Sequence, residues 1–286
     1  MKRALVVYLE DKPNLMMQFG WLYTSLKYIQ STDTDIVVFG TSKALKKVPK
    51  DCIKIKYKPI SYRKQWQKYH YINSISCLAD DRSAFLDEYD FLLRTDVDTF
   101  LTPAWNDYYP DFYTVGGGGY VHNQDVKRRL KRISHSLGYK HRGIHNVGST
   151  HYGYAPLVRK VCNLAVSTAK YIINNEFSNG HGIWPGWFWG VTSMYSSEIA
   201  VNHLVNKVII DGEKLDYFST SSDLVMKHPH IHCWHTFDKF SKFDFEAGKY
   251  DHISMEELDT TKVNDYCLFI ALKAKKELPW LQPSNN

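Results

Sequence analysis

Tyr89–Pro103 reads YDFLLRTDVDTFLTP, and its organisation decides the fold. Phe91, Leu92 and Leu93 form a continuous apolar run that predicts a strand buried on both faces. Asp96 and Asp98 follow at its end. On an extended backbone, residues two apart point to the same side, so the two carboxylates are expected to converge. Unpaired, they repel and resist desolvation. A divalent cation relieves both penalties, because hard carboxylate oxygens suit Mg²⁺ or Mn²⁺. Such a site commonly serves a phosphate-bearing substrate.

Working outward, further strand-like runs occur at Ala4–Leu9, Asp35–Gly40, Cys52–Pro59 and Phe112–Tyr120. Gln18–Ile29 carries apolar residues at helical spacing, and Tyr62–Leu86 reads as helical in parts. The alternation predicts an α/β fold with a mixed, mostly parallel central sheet flanked by helices. In such sheets ligands bind at the carboxyl ends of the strands, where Asp96 and Asp98 fall. The later half predicts helices over Val158–Phe177, Trp187–Val205 and Glu256–Leu278, and strands over Lys207–Asp211 and His228–Trp234. No repeat or linker divides the 286 residues, so one domain is expected, its two halves meeting at about residue 120.

The formal net charge is +6, and Asp125–Arg142 carries all of it. Lys127, Arg128, Arg129, Lys131, Arg132, Lys140 and Arg142 stand there against Asp125 alone. A local patch of this kind suits a phosphate or an acidic surface better than a long nucleic-acid track, and no nucleic-acid partner is expected. The other reading is a solvated helix face. The five cysteines are scattered, without a CxxC pair, which points to a reducing compartment and a cytoplasmic location. No segment has the length and apolarity of a membrane span, which leaves contact with a membrane surface open.

Several clusters carry chemistry. The run His228-Pro-His230-Ile-His232-Cys-Trp-His235 supplies candidate imidazole ligands, and a zinc site built from it alone is a further reading. Glu198 and Asn202 are i,i+4 neighbours on a predicted helix, with Glu198 the foremost catalytic carboxylate. Trp187 and Trp189 flank Phe188 after Gly186 and offer faces for stacking on a sugar ring, against the plainer reading as core. Gly116–Gly119 allows close backbone approach but lacks the lysine of a phosphate-binding P-loop.

Two enzyme classes share the Asp-x-Asp pattern. Asp96-Val97-Asp98-Thr99 matches the DxD[GTV] string of haloacid-dehalogenase-like phosphatases, in which the first aspartate is a nucleophile and the second an acid. The later acidic motif that holds their Mg²⁺ is not found, and three strand-like runs precede this one. The chain more extensively resembles the GT-A nucleotide-sugar glycosyltransferases. Tyr8-Leu9-Glu10 ends a first strand, Tyr89–Phe100 is similar to YDxhLxxDxDxF, and Asn146-Val147-Gly148-Ser149 through Pro156 is similar to hNxGxxxxxP. Ser197–Asn202 and His232–His235, with Lys239 and Lys242 beyond, follow in the family's order.

The resemblance implies a Rossmann-like GT-A architecture and transfer of a sugar from a nucleotide-sugar donor, with UDP the expected nucleotide, to a glycan or glycoconjugate hydroxyl. It implies Mn²⁺ or Mg²⁺ on Asp96, Asp98 and His232 or His235. Tyr8, Leu9, Arg63, Lys68 and Asp96 are expected on the nucleotide, and Lys239 and Lys242 on its diphosphate. Asn146, Gly148, Ser149, Trp187, Trp189 and Asn202 are expected at the sugar or acceptor. A non-catalytic carbohydrate-binding protein is the third reading.

Overall fold

The structure, a computed structural model, describes residues 1–234 and 240–281. In chain order its elements begin β1 (Arg3–Leu9), α1 (Pro13–Tyr28), β2 (Thr34–Gly40), α2 (Ser42–Leu45), β3 (Ile53–Lys56), α3 (Asn73–Ser76), β4 (Phe91–Arg94) and β5 (Thr99–Leu101). They continue β6 (Tyr113–Gly117), α4 (Gln124–Ser136), β7 (Val147–Tyr154), α5 (Ala155–Asn175) and α6 (Thr192–Leu204). Last come β8 (Val208–Ile210), β9 (Tyr217–Phe218), β10 (His230–His232), α7 (Lys242–Glu246) and α8 (Val263–Glu277).

The main sheet has seven strands in the order β3-β2-β1-β4-β7-β6-β8. β7 runs antiparallel to both its neighbours, and the other strands share one direction. The expected mixed, mostly parallel α/β sheet is therefore present. β1 and β2 are buried along nearly their whole length, as strands covered on both faces must be. On one face, α5 and α6 pack Val158, Val161, Ala165 and Ala200 against the sheet. On the other, α1 contributes Met16, Phe19, Leu22 and Leu26.

A small second sheet, β5-β10-β9, leaves the end of β4 and packs beneath α1 and α8. Trp21 of α1 stacks on Phe100 of β5 with ring centroids 5.6 Å apart. β10 pairs antiparallel with β5, setting His232 opposite Thr99.

Several boundaries differ from the sequence reading. α1 begins at Pro13, five residues before Gln18, because proline fits a helix's first turn, where its missing N–H has no partner to lose. α5 likewise includes Pro156 in its first turn. Tyr62–Leu86 holds only short 3₁₀ turns and the single turn of α3. Trp187 and Phe188 precede α6, and α8 starts at Val263 rather than Glu256. The basic stretch forms α4, whose Asn123 side chain accepts from Val126 N at the N-terminus. Its Val126, Leu130 and Ile133 are buried.

Candidate functional site

From β1 the chain winds outward to β2 and β3, then returns to lay β4 on the other side of β1. The crevice beyond the carboxyl ends of β1 and β4 is thus a topological switch point, the usual ligand site of open α/β sheets.

β4 ends at Arg94, so Asp96 and Asp98 lie in the turn leading to β5, not on the strand. The turn, not strand alternation, brings the expected pair together, and Thr99 Oγ1 braces it by donating to Asp96 O (2.9 Å). Asp96, Asp98 and His232 each present a ligand atom, all within 4.8 Å of one another. His232 Nε2 stands 3.3 Å from Asp98 Oδ1, and Lys242 Nζ donates to Asp98 Oδ2 at 2.6 Å. Burial alone would raise the Asp98 pKa, but His232 and Lys242 hold it well below the usual carboxylate range. Arg94, itself buried, donates to Asp96 Oδ1 (3.0 Å) and also to Ser74 and to the carbonyl of Ser149.

Behind this cluster stands Asp216, which sequence reasoning missed. It lies just before β9 in a left-handed conformation (φ 64°) and is 4% exposed. It accepts from Thr150 Oγ1 (2.5 Å) and Thr150 N (3.2 Å), and it holds His232 Nδ1 at 3.1 Å. Burial opposes ionisation of Asp216, yet these donors bring its pKa down to about 2. With Nδ1 facing Asp216, His232 turns Nε2 toward Asp98. A carboxylate on the second ring nitrogen is the usual support of a metal-binding imidazole.

The other histidines of the late run are engaged elsewhere. His230 Nδ1 accepts from Asp216 N (3.0 Å), so its Nε2 carries the proton toward Thr95 Oγ1 (2.9 Å). His228 stacks on Tyr217 at 3.4 Å between centroids and meets Glu213 O through Nδ1 (2.8 Å). Among the described residues these contacts disperse the run, and no cluster of three ligands is made from it alone. His235 and Lys239 lie outside the described residues.

On the β1 side, Tyr8 donates to Glu10 Oε1 (3.1 Å) and meets Tyr57 edge-on at 5.8 Å. The Leu9 side chain is fully buried in the core, which corrects an expected side-chain contact with the nucleotide. Arg63 is exposed after the turn that begins at Ile60, and its charge acts on Tyr57. Lys68 is exposed in a left-handed turn (φ 62°).

The register Arg94↔His151 carries the start of β7 past the end of β4, so Asn146–Ser149 flank the aspartate turn. Asn146 and Gly148 serve the framework. Asn146 Oδ1 accepts from Tyr120 N (3.1 Å) and Val121 N (2.8 Å). Gly148 is required by close strand packing: a Cβ there would lie 2.4 Å from the carbonyl oxygen of Gly116. Gly116 in turn makes room for Asp216, whose Oδ2 would be 2.0 Å from an added Cβ. Asn202 Oδ1 accepts from Arg142 N (2.8 Å) and Ile144 N (3.2 Å), and its Nδ2 donates to Ile144 O (2.8 Å). It is 1% exposed and clamps the loop that leads into β7.

Glu198 is fully buried, which excludes a solvent-facing helix position. Oε2 accepts from Tyr120 OH (2.7 Å) and Asn146 N (2.7 Å), while Oε1 pairs with His145 Nδ1 (2.7 Å). Burial would raise its pKa, but the neighbouring imidazoles of His141 and His145 and donation from Tyr120 lower it. A carboxylate so supplied with donors is a weak base and a strong positioning group. His141, His145 and Glu198 also offer three ligand atoms within 4.8 Å. However, His141 Nδ1 accepts from Gly143 N (3.2 Å), leaving the proton on Nε2, the atom nearest Glu198. That tautomer suits a proton-bridged network better than a cation.

Trp187 sits in the core, stacked on Tyr195 at 4.3 Å and Phe177 at 5.5 Å, which corrects its reading as a sugar platform. Trp189 packs edge-on against Tyr69 at 4.7 Å and tilted against His181 at 4.8 Å. The exposed aromatic of this loop is Trp184. All five cysteines are buried and unpaired, and among the described residues no helix is long and apolar enough to cross a membrane.

A cavity of about 520 Å³ lies by the N-terminus of α1, lined by Met16, Phe245 and Trp280 among others; none of the described candidate ligands Asp96, Asp98 and His232 borders it. Comparison with curated proteins gives no match. The sequence does match the family described as Domain of unknown function (DUF7164) over residues 1–279, and the chain belongs to that family.

Proposed function

We propose that the chain is a metal-dependent glycosyltransferase of GT-A type, moving a sugar from a nucleotide-sugar donor, a UDP-sugar, to a glycan hydroxyl. The observation that carries this reading is the convergence of Asp96, Asp98 and His232 at the switch point, with Asp216 fixing the His232 ring. Two carboxylates and one oriented imidazole suit Mn²⁺ or Mg²⁺. When bound, the cation supplies electrostatic stabilisation of the departing diphosphate.

The chain's own residues divide the remaining work. Asp98 and His232 bind the cation. Asp96, steadied by Arg94, completes its shell directly or through water or holds the ribose. Lys242 neutralises Asp98 in the absence of ligand and is within reach to turn to the diphosphate. Tyr8 and Arg63 are assigned to the nucleotide, Tyr8 from the end of β1. Glu198 acts as a positioning residue through Asn146 and His145 rather than as the base on the acceptor.

Calorimetry tests the reading. UDP binding that requires Mn²⁺ and disappears in Asp98→Ala, with folding retained by circular dichroism, supports it. UDP binding that ignores both the metal and the substitution refutes it. Phosphate release from an aryl phosphate would favour the phosphatase, and glycan binding without nucleotide the lectin-like reading.

A further inference from the structure

The basic stretch that carries the chain's net charge is not absorbed by the site above. Gln124, Lys127, Arg128 and Lys131 follow one another at i, i+3, i+4 and i+7 on α4, opposite its buried stripe. This polar face borders a cavity of about 410 Å³, closed on its other side by the loop that carries His141 and His145. Among the described residues no carboxylate lines it.

The cations are only partly answered within the protein. Arg142 is engaged by carbonyls at the end of α6 and just beyond it, Asn202 O (3.0 Å) and Asn206 O (2.6 Å) among them. Arg128 stands 3.6 Å from Asp125, which Arg129 holds more closely at 2.8 Å. Lys127 and Lys131 have no carboxylate partner among the described residues, although like charges four apart on a helix repel. His141 adds an independent signal. Its side chain is 2% exposed, and Nε2 is buried without a hydrogen-bond partner, 3.9 Å from Glu198 Oε1. His145 borders the same cavity and is fixed by buried Glu198 through Nδ1, so its Nε2 is the free ring atom.

We propose that this cavity binds an oxyanion, and that the anion is a phosphate or carboxylate group of the acceptor. Lys127, Lys131 and Arg128 supply the charge, and His145, held by Glu198, stands against the bound group. The anion site stands by itself; its assignment to the acceptor rests on the transferase reading. The cations and the His141 tautomer weigh against a second metal ion here.

The probes are inorganic phosphate and glucuronate, titrated at low ionic strength into the whole chain saturated with Mn²⁺ and UDP, and again without them. The expected result is saturable binding of at least one probe in both states. The double substitution Lys127→Ala/Lys131→Ala should weaken it about 10-fold, the loss of a charge-assisted contact, while Mn²⁺-dependent UDP binding is unchanged. The His145 ring resonances should shift on binding, which tests the site in the unaltered chain. Preference for phosphate or glucuronate identifies the group. Binding that UDP and Mn²⁺ abolish would place the anion in the nucleotide crevice and overturn the proposal. So would unchanged affinity in the double variant. A chain that takes phosphate as expected but never binds UDP would refute the transferase and leave the anion site standing.

Discussion

Asp216→Asn tests the organisation of the metal cluster without touching a proposed ligand. Asparagine keeps the size of the side chain and tolerates the left-handed backbone at φ 64°. It also fits the space left by Gly116. What it removes is the negative charge facing His232 Nδ1 at 3.1 Å. Its amide retains one oxygen, for which Thr150 Oγ1, now at 2.5 Å, competes with the imidazole. Losing such a support typically weakens metal affinity about 10- to 100-fold, equivalent to about 1.4–2.8 kcal/mol. The same change removes a buried charge-assisted hydrogen bond, with a stability loss of about 1.5–3 kcal/mol. The assay is titration of the chain with Mn²⁺, followed by the paramagnetic resonance of the free aqueous ion, beside a chemical denaturation curve. A variant that is destabilised by this amount yet binds Mn²⁺ within about twofold of the parent would refute the orienting role.

Three further outcomes follow from the geometry. Lys242→Met removes the ammonium 2.6 Å from Asp98, so Mn²⁺ alone should bind more tightly while UDP with Mn²⁺ binds about 10-fold more weakly, both read by calorimetry. Gly148→Ala sets a Cβ against the backbone of Gly116 and should cost about 1–3 kcal/mol by overpacking, seen as a lower denaturation midpoint. Asp33 anchors buried Arg3 at 2.5 Å; burial would raise its pKa, but Arg3 and Tyr109 bring it down to about 2. A depressed carboxylate contributes stability that is present above its unfolded pKa of about 3.9 and lost as the pH falls toward 2. Asp33→Asn should therefore flatten the acid limb of the stability–pH curve in that window, and an unaltered slope would contradict the pairing.

The strands were legible where burial on both faces leaves an unmistakable mark. Val6, Val37 and Leu92 belong to such runs and lie in β1, β2 and β4. β5 and β9 are three and two residues long, too short for any period to register. The aspartate pair was found for a partly mistaken reason, since a turn and not strand alternation gathers it. His232 was legible as one of several histidines, but its selection over His228 and His230 depends on pairing with β5 and on Asp216, sixteen positions away. Asp216 has no signature, because it enters from a left-handed turn beside a minor strand. Asn146, Gly148, Glu198 and Asn202 were found as a group, yet sequence order could not separate contact with a substrate from the bracing of loops. Trp187 shows the same limit: its ring, expected on a sugar, fills the core between Phe177 and Tyr195.

The most direct test is a crystal structure of the chain with UDP and Mn²⁺, read by the anomalous signal of manganese. One peak is expected within bonding distance of Asp98 and His232 Nε2, shared with oxygens of both phosphates, with Lys242 moved from Asp98 onto the diphosphate. A peak away from these residues, or UDP held outside the crevice between β1 and β4, would contradict the proposed site.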